Sequence, residues 1–387
     1  MKEVPNEPVP PVTRTDLSSS TVCPFLQNNV TKRPGAANRG TGAGLSTARA
    51  CSFLDYSPNS IHISRQLLAF VVSECHGLAC TLDIERAMSD YLQHGRIMGG
   101  VIATPDIDLA LADYRDRLGL NLIDEVPVGA QLAEAWGLPA LVARRMATLQ
   151  PDSGVECYIR LIEQPLPADF KPTTTFGWGS YEITVQDAMS WPAKLGGSGF
   201  RIIGEPKEIP SMPYFIAMQM LGRGEEMIYL NQTLKNTPST DLPPAQSPVD
   251  HMFIVILAAP DREKTVRWYC DKLCLDAAET YTIEYTMINH AFGSPLGTTS
   301  SLTMVQKGRL PIVEVDDYPA HAQFRVAPDG GLPPGNSLVS LAVDSLDAID
   351  LPFIAPPTVI NSPVYGGRRS ATVIGTAGEY LELIEIN

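Results

Sequence analysis

"PDIDLALADYRDRLGL", residues 105–120, returns as "PDREKTVRWYCDKLCL", residues 260–275, in the shared frame P-D-x7-Y-x-D-x-L-x-L. A long-range echo of this kind points to a duplicated structural unit. Both copies have helical period: Ile107, Leu111, Tyr114 and Leu118 share one face of the first, and Val266, Tyr269, Cys270 and Leu273 one face of the second. The Pro-Asp opening suits a helix start, because Asp can cap exposed amides and Pro cannot extend a helix backward.

Each helix follows an apolar run, "GGVIA" (99–103) or "MFIVILAA" (252–259). Short alternating runs come after it: "ARRMATLQ" and "VECYIRLIE" in the first half, "YTIEYTMINHAF" and "SSLTMVQKG" in the second. The unit is therefore a strand, a helix and about three strands. A weaker unit follows each strong one, from "GSYEITVQDAMSWPAKL" (179–195) to "GEEMIYLNQ" (224–232), and from "NSLVSLAVDSLDAI" (336–349) to the closing "GEYLELIEI". The pattern predicts an α+β fold of four βαβββ modules arranged as two pairs. The expected domains are 88–235 and 250–387, joined by the Pro-rich link 236–249.

The chain has 387 residues, 44% of them hydrophobic and 19% charged, enough for a sizeable core. Its net charge of −14 and the lack of Lys/Arg clusters argue against a nucleic-acid partner. No run approaches the roughly 18 apolar residues of a membrane span. Seven scattered cysteines without a CxxC pair indicate neither a disulfide framework nor a zinc ribbon, so a reducing cytoplasm is the expected setting. Cys75, His76 and Cys80 lack a fourth ligand at suitable spacing. Cys270 and Cys274 are expected to be apolar helix residues rather than a thiol pair. Residues 1–60 are rich in Pro, Ser, Thr, Asn and Gly, and 1–87 as a whole is expected to be a disordered or non-native extension without chemistry.

The apolar strand, the D-x-x-x-A-x-x-x-Y helix running into "YRDRLGL", and the closing "GEYLELIE" resemble the vicinal oxygen chelate superfamily of glyoxalase I, bleomycin-resistance proteins and extradiol dioxygenases. The resemblance covers about 96–387. It implies paired modules forming cups around a small-molecule site, in metal-dependent members a divalent ion held by His on opening strands and Glu on a closing strand. Glu382 matches that Glu. The opening-strand positions fall on Gly99, Ser180, Ile254 and Leu338, none of them His, and the first pair of modules offers Arg160 and Ile228 or Tyr229 for its carboxylates. The first half is accordingly expected to be metal-free.

In the second half His251, His290 and Glu382 are the candidate trio for Fe, Mn or Zn, a ligand set that suits such ions. His251 stands three residues early, which turns it to the wrong face, so a metal-free cup is favoured. Where extradiol enzymes carry a further His and a Tyr, this chain has Ser300 or Ser301 and Thr372, which weakens the ring-cleavage reading.

A metal-free cup can still perform acid–base chemistry. Glu382, His290 and Tyr229 are the candidate catalytic groups, since a desolvated carboxyl is poised to exchange a proton near neutrality. Arg368 and Arg369 could clamp an anionic substrate, and Trp178 and Tyr214 could line a site for a flat or apolar one. The expected function is an enzyme on a small organic molecule, a lyase, isomerase or dioxygenase-like catalyst, acting as a monomer or homodimer. The alternatives are a binding protein like the bleomycin-resistance members and a non-catalytic structural homologue.

Overall fold

The computed structural model describes residues 93–209 and 212–387. The expectation for 1–87, and the Cys75/His76/Cys80 group, lie outside the described residues. The first module runs β1 (Ile97–Thr104), α1 (Ile107–Ala112), β2 (Asn121–Pro127), an inserted α2 (Ala130–Ala135), β3 (Arg145–Gln150) and β4 (Tyr158–Glu163). The second holds β5 (Thr175–Val185), a short α3 (Trp191–Lys194), β6 (Arg201–Ile209), β7 (Met212–Leu221) and β8 (Met227–Thr233). The third comprises β9 (Val249–Ala259), α4 (Arg262–Leu273), β10 (Asp276–Ile283), an inserted α5 (Thr286–Phe292), β11 (Ser300–Lys307) and β12 (Leu310–Asp317). After the two-residue β13 (Gln323–Phe324), the fourth module contributes β14 (Gly335–Val343), β15 (Thr358–Val359), β16 (Arg369–Ile374) and β17 (Tyr380–Glu385).

The repeated Pro-Asp marks both strong helices as the spacing predicts. Asp106 accepts from the Leu109 amide and Asp261 from the Lys264 amide, each at 2.9 Å. The apolar faces are buried, with Tyr114 and Tyr269 at their centres. The repeated Tyr also has a repeated partner. Tyr114 donates to Glu226 at 2.8 Å and Tyr269 to Glu379 at 3.0 Å, and each Glu sits in the turn before the last strand of the following module. The helix of one module is thereby clasped to the next module in the chain.

Strand pairing follows another rule. The eight-stranded sheet has the order β15-β16-β17-β14-β1-β4-β3-β2, joining the first module to the fourth, and the nine-stranded sheet runs β10-β11-β12-β9-β5-β8-β7-β6, joining the third to the second. Residues 88–235 and 250–387 therefore do not each close a cup. Repeat spacing says which segments are alike, not which edges meet, and here β1 pairs with β14 and β5 with β9 across the halves. Both sheets are mixed, with β1 parallel to β4 and β14 parallel to β17 in the first.

One core cluster takes a face of each sheet together with α1 and α4, including Ile159, Leu161, Leu341 and Leu383 from the first sheet and Ile183, Leu230, Leu257 and Val315 from the second. Alternation along the strands turns the remaining residues to the opposite, cup faces. Tyr181 crosses from β5 to the first sheet, its hydroxyl donating to the carbonyls of Val101 and Leu338 at 2.8 Å each. Its ring explains one half of "GG": a Cβ on Gly100 would lie 2.7 Å from it. Gly99 has φ +144°, and its Cβ would meet the Tyr158 carbonyl oxygen at 2.1 Å, so no side chain fits where the resemblance places a metal-binding His.

Candidate functional site

The first cup face carries Arg160 on β4, Ser340 on β14 and Glu382 on β17, with Ser340 opposite Glu382 in register. Glu382 is 1% exposed and accepts four hydrogen bonds. Arg160 Nη2 and the Ser340 hydroxyl reach its Oε2 at 2.6 Å each; Trp136 Nε1 at 2.9 Å and the Tyr365 hydroxyl at 2.7 Å reach its Oε1. Arg160 also donates to the Tyr365 hydroxyl and to Ser340. Burial alone would raise the Glu382 pKa, but the guanidinium and these donors outweigh it and hold the carboxyl below its usual range.

Around this pair the cup is packed. Trp136 and Leu138 after α2, and Ile360, Val364 and Tyr365 from the fourth module, join one apolar cluster with Met98, Leu338 and Ile384. The hydroxyls of Thr148 and Thr372 and Arg160 Nε stay without partners beside it. A divalent ion does not fit these residues. A guanidinium cannot be a ligand, both oxygens of the one carboxylate are already bonded, and Gly99 admits no side chain. Glu382 is thus the anchor of an internal ion pair.

The proposed metal trio does not assemble. His251 lies on β9 in the other sheet, 8% exposed, with its Nδ1 3.4 Å from Asp250. His290 is exposed on α5 rather than placed on a strand. "YTIEYTMINHAF" departs from the predicted strand because Met287, Ile288 and Phe292 fall on one helical face and Gly293 ends the turn with φ +61°. Among the described residues no group of three or more His, Cys, Asp or Glu could hold a metal ion.

The candidate substrate contacts are also engaged elsewhere. Arg368 pairs with Glu156, and Arg369 with Glu385 and Asp347. Trp178 is 1% exposed and donates to the Tyr380 carbonyl, bridging the sheets. Tyr214 packs with Leu242, Phe253 and Ile254 away from any site. Cys270 and Cys274 are half-buried.

Tyr229 is placed differently. On the second cup face it lines a narrow crevice with a free volume of about 10 Å³, room for about one water, together with Ser180, Met227, Ile256, Tyr285, Met287, Ile288, Asp316 and Tyr318. Two buried carboxyl groups and a half-buried one converge on this face: Glu182 on β5 and Asp316 on β12, with Glu314 two residues before Asp316. Asn231 donates to Glu182 at 2.7 Å, and Tyr285 to Glu314 at 3.5 Å. Asp316, 1% exposed, accepts from no N–H or hydroxyl donor, and its carboxyl shares a hydrogen bond with that of Glu314; the Ser180 hydroxyl, 2% exposed, has no partner.

Burial, with mutual repulsion added, pushes Asp316 and Glu182 well above the usual carboxylate range; burial raises Glu314 to about 7. Burial, and the nearby Glu182, raise Tyr229 as well. Sequence reasoning passed over this cluster, although "PIVEVDDYP" (311–319) places two acids on one face of an otherwise apolar strand.

No family model matches the chain, and no curated protein matches it. Solved structures do. Two variants of glyoxalase I from Zea mays align with 75% of this chain over 93% and 92% of their own length, each at 14% identity and TM-score 0.50. An antibiotic-binding protein from Streptomyces aligns with 36% of this chain over 96% of its own, at 16% identity and TM-score 0.26. With the βαβββ order and the two curled mixed sheets, the glyoxalase alignments show that the chain has the fold of the vicinal oxygen chelate superfamily.

Proposed function

We propose that the protein binds a small organic molecule in the second cup and exchanges a proton with it, chemistry of the lyase or isomerase type that draws on side chains rather than on a resident ion. The observation that carries this reading is a cluster of three carboxyl groups, Glu182, Glu314 and Asp316, gathered on one cup face beside an aromatic-lined crevice with no cation among the residues lining it. Gathering carboxyls away from water is costly, and costs of this kind collect at functional sites.

Asp316 meets the ligand directly. Glu314 acts through the Tyr285 hydroxyl, which lines the cleft and donates to it, and a carboxyl held at about 7 changes form near neutral pH. Helix α5 closes the mouth with Met287 and Ile288, limiting water around the reacting groups.

The test is deuterium incorporation from heavy water into a panel of small amines and ketones, followed by proton NMR. Exchange that is lost in Glu314→Gln and in Asp316→Asn, and kept in the first-cup double variant Arg160→Met/Glu382→Gln, supports the proposal. Exchange no faster than in buffer, with every panel member, would refute catalysis. A second reading, a binding protein without turnover, is favoured by the tight enclosure under α5 and predicts saturable binding with no exchange.

A further inference from the structure

The two strong modules cap their cups from the same place in the repeat. The last paired residues of β2 and β3 are Pro127 and Arg145, and those of β10 and β11 are Ile283 and Ser300. Each hairpin thus throws out an excursion, 128–144 carrying α2 and 284–299 carrying α5, whose two ends are pinned side by side. The excursions are held very differently. In the first, Leu132, Trp136, Leu138 and Leu141 are buried, and the Trp136 indole lies beside the Arg160 guanidinium and donates to Glu382. In the second, Ile288 is the one buried apolar side chain, while Met287 and Phe292 are half-buried.

Hydrogen bonds of 284–299 stay largely within the segment: the Gly297 amide donates to Glu284 at 2.9 Å and the Asn289 side chain to the Thr298 carbonyl at 2.7 Å. Among the described residues its polar links to the cup run through Tyr285, whose hydroxyl reaches Glu314 at 3.5 Å and shares a hydrogen bond with Tyr229. Gly293 and Gly297, at φ +61° and +79°, have nothing within 4 Å of where a Cβ would lie, so the segment turns in open space. Beneath it the carboxyls of Glu314 and Asp316 share a hydrogen bond, with Glu182 close enough to repel them. A charge formed there has no cation among the crevice-lining residues and room for about one water. The wall most cheaply moved to admit more water is the segment above.

We propose that 284–299 is a lid over the second cup, lifting on its Ile283–Ser300 base when the carboxyl groups beneath it ionise. The excursion over the first cup stays shut, anchored by Trp136 above a carboxylate that already has its guanidinium. As a gate, the lid rests on the second cup being the ligand site, for which it would supply the room that the closed crevice lacks; the movement itself needs no ligand.

The direction follows from linkage. Closed, Glu314 is raised from 4.5 to about 7 by burial, and burial with mutual repulsion raises Glu182 and Asp316 well above their usual range. Opened to water, each returns toward its ordinary value. The closed form is therefore fully favoured below about pH 4.5 and weakens as pH rises through 7, by up to about tenfold in the opening equilibrium per pH unit for each proton released. Between β5 and β12, β9 presents only Ile254, Ile256 and Ala258 opposite these acids. The other titratable or charged groups nearby are Tyr229, Tyr285 and Tyr318, all raised above the ordinary phenol range; Asp317, paired with Arg262; Arg325, bonded to Thr175, Trp178, Pro334 and Asn336; His321, whose ring meets Phe292; and Glu284 and the exposed His290 on the lid.

Amide hydrogen exchange of the full chain, read by mass spectrometry from about pH 5 to about pH 8 and corrected for intrinsic rates, tests this. Peptides covering 284–299 should lose protection by about a hundredfold or more over that range, with 128–144 unchanged. Glu314→Gln/Asp316→Asn should keep the lid protected at the alkaline end, and His321→Gln should follow wild type. Glu314→Gln alone, at the half-buried position, should flatten the slope if the double variant does not fold. Protection of 284–299 that is flat with pH, that falls equally in the carboxyl variants, that loses its pH dependence in His321→Gln, or that is lost together with 128–144, overturns the lid. A pH-driven lid in a protein that transfers no deuterium to any panel member keeps this inference and removes the catalytic reading; deuterium transfer under a lid indifferent to pH does the reverse.

Discussion

The two cups are built from the same module and treat a buried carboxylate in opposite ways. In the first, Glu382 has a guanidinium at 2.6 Å and three further donors, inside a packed apolar cluster. In the second, Asp316 has no cation beside it and shares a hydrogen bond with Glu314 next to a narrow crevice. The same fold balances a buried carboxylate with a guanidinium in one cup and sets carboxyl against carboxyl in the other, which is why their pKa values move in opposite directions.

The sharpest way to break this contrast is to remove the internal cation. Arg160→Met leaves a buried carboxylate unpaired and should cost about 3–5 kcal/mol of stability in urea unfolding. Adding Glu382→Gln removes the stranded charge, keeps an acceptor for Trp136 and Tyr365, and should restore most of that loss. A double variant as unstable as the single one would show that packing, not charge, holds the first cup. Next in size is Trp136→Phe, which deletes one charge-assisted hydrogen bond to Glu382 and should cost about 2 kcal/mol with ligand binding in the second cup unchanged.

Dependence on pH should separate the cups by sign. Glu382 is held below its unfolded value, so its contribution is present above about pH 4.5 and is lost as pH falls through the lowered native value. Glu314 is raised from 4.5 to about 7, so its native state favours the proton. Its contribution is full below about pH 4.5 and is lost as pH rises toward and through 7. Unfolding free energies of wild type and Glu314→Gln, compared across this range, should converge at the acid end and part at the neutral end with the variant more stable. Identical profiles would remove Glu314 from the second cup's electrostatics. The smallest effects belong to His290→Ala and Arg369→Ala. One is exposed on α5 and the other holds surface ion pairs, so both should keep wild-type stability in urea unfolding.

The repeat, the Asp106 and Asp261 caps and the helical faces were legible because each depends on residues a few positions apart. Glu382 was legible as an oddity on an apolar strand. Its partners were not: Ser340 reaches it by pairing of β14 with β17, Tyr365 from the same module, and Trp136 and Arg160 by sheet pairing between modules one and four, none of which spacing alone encodes. Arg160 was noticed as a poor metal ligand, and its value as a counter-charge appears only once β4 and β17 face the same cup. The second site was missed because resemblance drew attention to His and to the closing Glu, whereas the informative stretch was "VEVDD" (313–317). The chain also has strand alternation and helix period superimposed at 281–292, and tertiary packing of Ile288 decided for the helix.

The most direct measurement is a carbon-13 NMR titration of the side-chain carboxyls, with Glu382 and Asp316 assigned through Glu382→Gln and Asp316→Asn. The expected result is opposite displacement: Glu382 titrating below the ordinary Glu value and Asp316 well above the ordinary Asp value. Two carboxyls titrating in the ordinary range, or displaced in the same direction, would contradict the division of labour between the cups.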